Sequence, residues 1–289
     1  MNVAADAQQR QLENEAAANL VRSRDRERYW CALFAPASDR PGLLALYAFD
    51  AELAHIAAAV REPMAGQIRL QWWRDAIDLA APDTKTGNPV ADTLAAAIVE
   101  YNLPKERLIR MVDGRIPEVF GDPPAGMQAL HLSLRECEGA VFELAACILG
   151  DRSVAAGKAA EHAGHAWGLT QRLRTIPLQA SRRRLLLPPS YFEGRGADLA
   201  ELYAGRATPA IGAALADLRG EANRALRRFR ELAPELNSRA WPAFLPLALV
   251  KPYLKATAAS SLDPLQNVVT LNPVRCFSRI WRAARRGAI

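Results

Sequence analysis

A chain of 289 residues, half of them hydrophobic, is long enough to bury a sizeable core as one large or two small domains. Ala and Leu abound and runs of Val, Ile and Thr are scarce, which favours helices and argues against a β-rich or low-complexity chain. The net charge of +6 is uneven: from Gln171 onward stand 20 Lys+Arg against 8 Asp+Glu, which points to an anionic partner, and the absence of a nucleic-acid motif excludes nucleic acid.

In chain order, residues 1–14 are polar and read as a mobile N-terminus, followed by one helical domain over 15–289. A helix is expected from Glu15 to Phe34, with the charges of RSRDRERYW as a solvated face. After a turn at Pro36–Pro41, Leu43–Val60 is a helix whose Leu46, Phe49, Leu53, Ile56 and Val60 recur at spacings of three and four. Pro63–Gly66 should interrupt, and Gln67–Ala80 should follow as a helix. Further helices are expected at Val90–Tyr101, Pro104–Val119, Met127–Leu149, Ser153–Ile176, Ala207–Leu232 and Trp241–Lys255. No internal repeat or domain linker is visible.

The stretch AGHAWGLTQRLRTIPLQASRRRLLLPP, residues 163–189, stands out. A helix with small residues at Ala163, Ala166 and Thr170 meets Pro177, which ends or kinks it. The basic triplet Arg182, Arg183 and Arg184 follows. A solvated basic loop is the plainer reading, and the mouth of a cavity is the sharper one. The tail NPVRCFSRIWRAARRGAI places Arg275, Arg279, Arg282 and Arg286 on one stripe, which suits either a helix lying on an anionic membrane or one docked by Trp281.

Cys31, Cys137, Cys147 and Cys276 show no metal-ligand spacing and read as free thiols in a reducing compartment. His162 and His165 share a helical face but have no partner pattern, and His55 is isolated, so no metal site is expected. The N-terminal residues lack the apolar core of a signal peptide, and no run of 18 apolar residues occurs. The expected location is cytoplasmic, at most peripheral to the inner membrane.

The 163–189 stretch, in which Leu169, Thr170, Leu173, Arg174, Arg182 and Pro188 fall on one frame, and the run LLALYAFDAELAHIAAAV resemble the squalene and phytoene synthases. The resemblance implies an all-α helical bundle of the terpenoid synthase type around a central cavity. It also implies two facing aspartate-rich motifs that hold Mg²⁺ against a diphosphate. The expected aspartates fall here on Ala54, His55, Ala58, Thr175 and Gln179. Asp50, one turn before Ala54, is the candidate for a displaced carboxylate. Within the family, VRSRDRERYWCALFAPASDRPGLLALYAFDAELAHI and REPMAGQIRLQWWRDAI are similar to the branch containing mitochondrial respiratory complex I assembly factor six.

That branch implies a non-catalytic assembly or interaction factor without cofactor, partnered by a complex I subunit or assembly intermediate. Its cavity would be empty or hold a lipid or prenyl-like ligand. Tyr47, Gln71, Trp72 and Gln171 are expected to line the cavity, and Arg69, Arg74, Arg174 and Arg182–184 to contact an anion or partner. The alternatives are a Mg²⁺-dependent prenyl-diphosphate transferase of the head-to-head type, and a basic membrane-surface binding module.

Overall fold

A computed structural model describes residues 3–59, 62–82, 84–258 and 265–289, and every regular element among them is helical. The chain opens with α1 (Val3–Arg24) and α2 (Arg26–Ala32), separated at Asp25, whose carboxylate accepts a hydrogen bond from the Arg28 amide at 3.0 Å and caps α2. The single helix expected over 15–34 is therefore two. The stretch read as a mobile N-terminus is helical from Val3 onward, and Glu13 is buried against Lys85 at 2.7 Å. Met1 and Asn2 lie outside the described residues.

The expected stripe buries α3 (Arg40–Ala59) through Leu46, Phe49, Leu53 and Ile56, while Val60 lies outside the described residues. α4 (Pro63–Asp78) starts at the proline expected to interrupt it, because a first-turn proline lacks only a donor that the helix leaves unused. α5 (Pro89–Glu100) is capped by the Asn88 side chain. The helix expected over 104–119 divides into α6 (Lys105–Asp113) and α7 (Ile116–Phe120), since Pro117 cannot continue the hydrogen-bond ladder. α8 (Met127–Leu134) passes through a π-helical turn, Arg135–Gly139, into α9 (Ala140–Ile148).

The long α10 (Val154–Arg174) is central. A side chain at Gly164 would run into the backbone of Gly139, so the glycine allows α10 to lie directly on the π turn. Pro177 then opens α11 (Ile176–Ser181), and the short α12 (Pro189–Glu193) and α13 (Leu199–Tyr203) lead to α14 (Pro209–Leu232), which packs along α10. Prolines 242 and 246 reduce the expected 241–255 helix to α15 (Trp241–Phe244), a 3-10 stretch, and α16 (Val250–Ala256).

The last helix, α17 (Pro273–Arg286), docks through buried Cys276, Ile280 and Ala283. Trp241 Nε1 donates to the Ala283 carbonyl at 3.2 Å, and Phe277 meets Trp30 edge-on at 5.9 Å. Trp281 stays 43% exposed with Arg285 over its ring, so the tail is a docked helix with basic residues outward. One contiguous apolar core joins these elements. Among the described helices only α3 is long and apolar enough to cross a membrane, and 61% of that window is buried in the bundle. All four cysteines are free, and Cys31, Cys137 and Cys276 are buried.

Candidate functional site

Between α1–α2, α3, α7, α10–α11 and the start of α17 lies a cavity of about 750 Å³. Nine arginines and five carboxylates line it, an excess of positive charge, with Arg22, Arg24, Arg26 and Arg182 exposed and Arg28, Arg115 and Arg172 buried. Asp50 is its fixed point. α3 carries this carboxylate one turn before Ala54 and two turns before Ala58. It is buried and accepts hydrogen bonds from Arg28 Nη1 and, at 3.2 Å, from Arg115 Nη2.

Every other lining carboxylate also has a guanidinium beside it. Asp25 stands 3.6 Å from Arg28, Glu118 3.1 Å from Arg115, Glu27 3.7 Å from Arg174 and Glu138 3.9 Å from Arg172. Burial opposes the Arg28 charge, but Asp50 and Asp25 outweigh it and hold the guanidinium above its ordinary pKa. Burial raises the Asp25 and Glu27 carboxyls despite Arg28 and Arg174, and it raises the Tyr253 hydroxyl that donates to Glu27. Arg22, Arg26, Arg182 and Arg184 have no carboxylate within 4 Å among the described residues.

Ala54, Ala58, Thr175, Gln179 and Gln171 all line this cavity, as do Arg174, Arg182 and Arg184. Thr175 and Gln179 are taken up by the backbone. Thr175 Oγ1 donates to the Gln171 carbonyl at 2.7 Å, while Gln179 Nε2 donates to the Arg172 carbonyl at 2.8 Å and its Oε1 accepts from the Leu186 amide. Arg182 donates to the Ala58 carbonyl and Arg184 to the Glu118 and Val119 carbonyls, tying the basic turn to α3 and α7. Arg183, at φ 52°, turns away and lies over Tyr203.

Other expected positions fall elsewhere. The α4 face Leu70, Trp73 and Ile77 packs inward, which turns Arg69, Gln71, Trp72 and Arg74 away from the cavity. Arg74 pairs with Asp113, Gln71 with Asp75 at 2.7 Å, and Trp72 rests edge-on against buried Trp73. Tyr47 is buried behind Arg28 with its ring 5.6 Å from the guanidinium, and it does not reach the lining. His55 is exposed. Conversely, Asp25, Glu27 and Arg28, read as part of a solvated face, belong to the cavity, and Arg115, Trp167 and Arg172 join it unannounced. The Asp25 and Arg28 spacing of three was the one local sign, since it matches a helix cap and an ion pair.

The group that the resemblance implies, Mg²⁺, requires several oxygen ligands in near-octahedral order. These residues do not fit it: each lining carboxylate has an arginine within 4 Å, although Glu138 Oε2, 3.9 Å from Arg172, is left without a hydrogen-bond partner, and among the described residues no three His, Cys, Asp or Glu ligand atoms converge in the cavity. They fit an anion. Among the described residues, Arg28 Nη2, Arg115 Nε, Arg172 Nε and Gln171 Nε2 are buried donors without a partner.

Residues 21–275 match squalene/phytoene synthase. The NADH dehydrogenase (ubiquinone) complex I assembly factor 6 of Bos taurus is 30% identical over 267 residues, spanning 91% of this chain and 80% of that protein, and the human protein is 29% identical over the same length. A phytoene synthase of Thermus thermophilus is 33% identical over 148 residues, 49% of this chain and 50% of its own. Among solved structures, a squalene synthase of Alicyclobacillus acidocaldarius superposes with a TM-score of 0.75 at 21% identity, covering 85% of this chain and 92% of that one. A dehydrosqualene synthase reaches a TM-score of 0.76 at 17% identity, covering 96% and 99%. With its fold, its central cavity and a match over most of its length, the chain belongs to the squalene/phytoene synthase family.

Proposed function

We propose that this protein is a non-catalytic assembly or interaction factor of the respiratory complex I assembly type, which keeps the synthase cavity as a basic pocket without its metal chemistry. The observation that carries the reading is the clamp on Asp50: the one carboxylate of the first-motif helix that lines the cavity is held by Arg28 and Arg115, while Glu52 nearby pairs with Arg24. A developing diphosphate charge in such a site would meet arginines rather than Mg²⁺. Similarity to the assembly factor 6 proteins along 91% of the chain supports the same reading and suggests an association with complex I. A cytoplasmic or membrane-peripheral location belongs to the proposal. The test is affinity capture of the tagged chain from native membranes, with subunits identified by mass spectrometry. Complex I subunits or assembly intermediates are expected in the captured fraction, and their absence overturns the reading.

A second role is compatible with the first. The outer face of α17 shows Val274 at 76% exposure and Trp281 at 43% beside exposed Arg275, Arg279, Arg282 and Arg286, a composition suited to an anionic bilayer. Replacing these four arginines with Gln is expected to reduce binding to anionic vesicles, and unchanged binding removes the membrane role. Deleting the tail is a poorer test, because α17 is docked through Cys276, Ile280 and Ala283 and its loss lowers the melting temperature as well.

A further inference from the structure

On the face of the bundle formed by α8, α10 and α14, His131 and His165 both direct Nε2 at the same Glu221 oxygen, each at 2.7 Å. The imidazole centroids are 4.7 Å apart, and one ligand atom from each of the three residues falls within 4.8 Å of the others. The group lies in its own groove of about 280 Å³, lined also by Arg135, His162, Arg224 and Arg228, and none of these residues lines the central cavity. We propose that His131, His165 and Glu221 form a binding site for a first-row divalent cation that favours imidazole, Zn²⁺ foremost.

The fold makes the site rather than any local motif. Gly164 and Gly168 let α10 lie against the π turn and against Leu134 at the end of α8, which brings His165 opposite His131. The lengthwise packing of α14 on α10 supplies Glu221 from 56 residues further along the chain. Two imidazoles and a carboxylate are the protein ligands that open Zn²⁺ sites use, with the fourth position left to solvent or another ligand. Bonds of about 2.0–2.1 Å in tetrahedral order require ligand atoms about 3.3 Å apart. The two imidazole–carboxylate distances of 2.7 Å must widen to that value, and rotation of the half-exposed His131 side chain supplies the adjustment, with the ion replacing the shared protons. Arg135, Arg224 and Arg228 are exposed, so solvent screens their repulsion, and Arg135 and Arg228 are already matched to Glu136 and Glu231. Their remaining charge favours an anionic ligand in the open position.

The test is calorimetric titration of Zn²⁺ into the full chain after chelator treatment, with Co²⁺ absorption as a second reading of the ligand set. One saturable equivalent of Zn²⁺ is expected, together with a visible Co²⁺ band and a rise in melting temperature when Zn²⁺ is added. His131→Ala and Glu221→Gln should each weaken Zn²⁺ binding by at least about tenfold and abolish the Co²⁺ band. His162→Ala, in the same groove but outside the ligand set, should leave both unchanged. His131 is 45% exposed, so its replacement spares the core. Absence of saturable binding, binding indifferent to His131→Ala, or equal loss in His162→Ala overturns the site and leaves only a hydrogen-bonded triad.

Discussion

Asp50 is buried between two arginines, and its charge is committed to them. Removing one member of a buried ion pair leaves the partner charges uncompensated, at about 3–5 kcal/mol. Asp50→Ala is therefore expected to lower the unfolding free energy obtained from urea titration by that order while Mg²⁺ alters neither protein's stability; a variant as stable as the parent would contradict the clamp. Asp151 makes a separate pH-dependent anchor, accepting from Ser153 Oγ at 2.7 Å, the Ser153 amide at 3.0 Å and the Asn237 amide at 2.8 Å. Burial alone would raise its pKa, but these bonds outweigh burial and hold the carboxyl below the ordinary aspartate value of 3.8. A lowered folded pKa stabilises above the unfolded value, and the gain disappears as pH falls through the lowered one. Asp151→Ala should cost about 2 kcal/mol at pH 7, with the difference from the parent shrinking below pH 3.8. That Ala54, Ala58, Thr175 and Gln179 line the cavity could be expected from sequence through the family resemblance. Arg28 and Arg115 could not, because their burial depends on Asp50, 22 and 65 residues away, and an arginine in a charged run looks solvated until its partner is known.

Helices were legible where apolar spacing was regular, as in α3, and illegible where a single residue divides a continuous pattern. Asp25 caps α2 within a charged run, and Pro117 breaks a helix whose apolar stripe continues beyond it. α4 shows a different obstacle: adjacent Trp72 and Trp73 leave the inward face undecided until Leu70 and Ile77 are seen to share it with Trp73. Close approach of helices makes a sharper prediction within α10. A methyl group at Gly164 meets the Gly139 backbone, whereas one at Gly157 meets nothing within 4 Å. Gly164→Ala is expected to destabilise by about 1–3 kcal/mol through overpacking. Gly157→Ala should stabilise by up to about 1 kcal/mol, since alanine favours the helix and restricts the unfolded chain. Thermal unfolding of the pair decides the point, and equal shifts would contradict direct contact between α10 and the π turn.

At the scale of the molecule, the helical bundle and its central cavity followed from composition, periodicity and the family resemblance. The electrostatic character of the cavity did not, because it is assembled from α1, α2, α3, α7, α10 and α11, whose side chains meet only after folding. The scaffold encloses carboxylates paired with arginines and donors left open to an anion. The most direct measurement is diphosphate release from farnesyl and geranylgeranyl diphosphate by the purified full chain, with Mg²⁺ and with chelator. No release above the protein-free blank is predicted under either condition, whereas a Mg²⁺-dependent burst of diphosphate that Asp50→Ala abolishes would contradict the non-catalytic reading and make Asp50 a metal ligand.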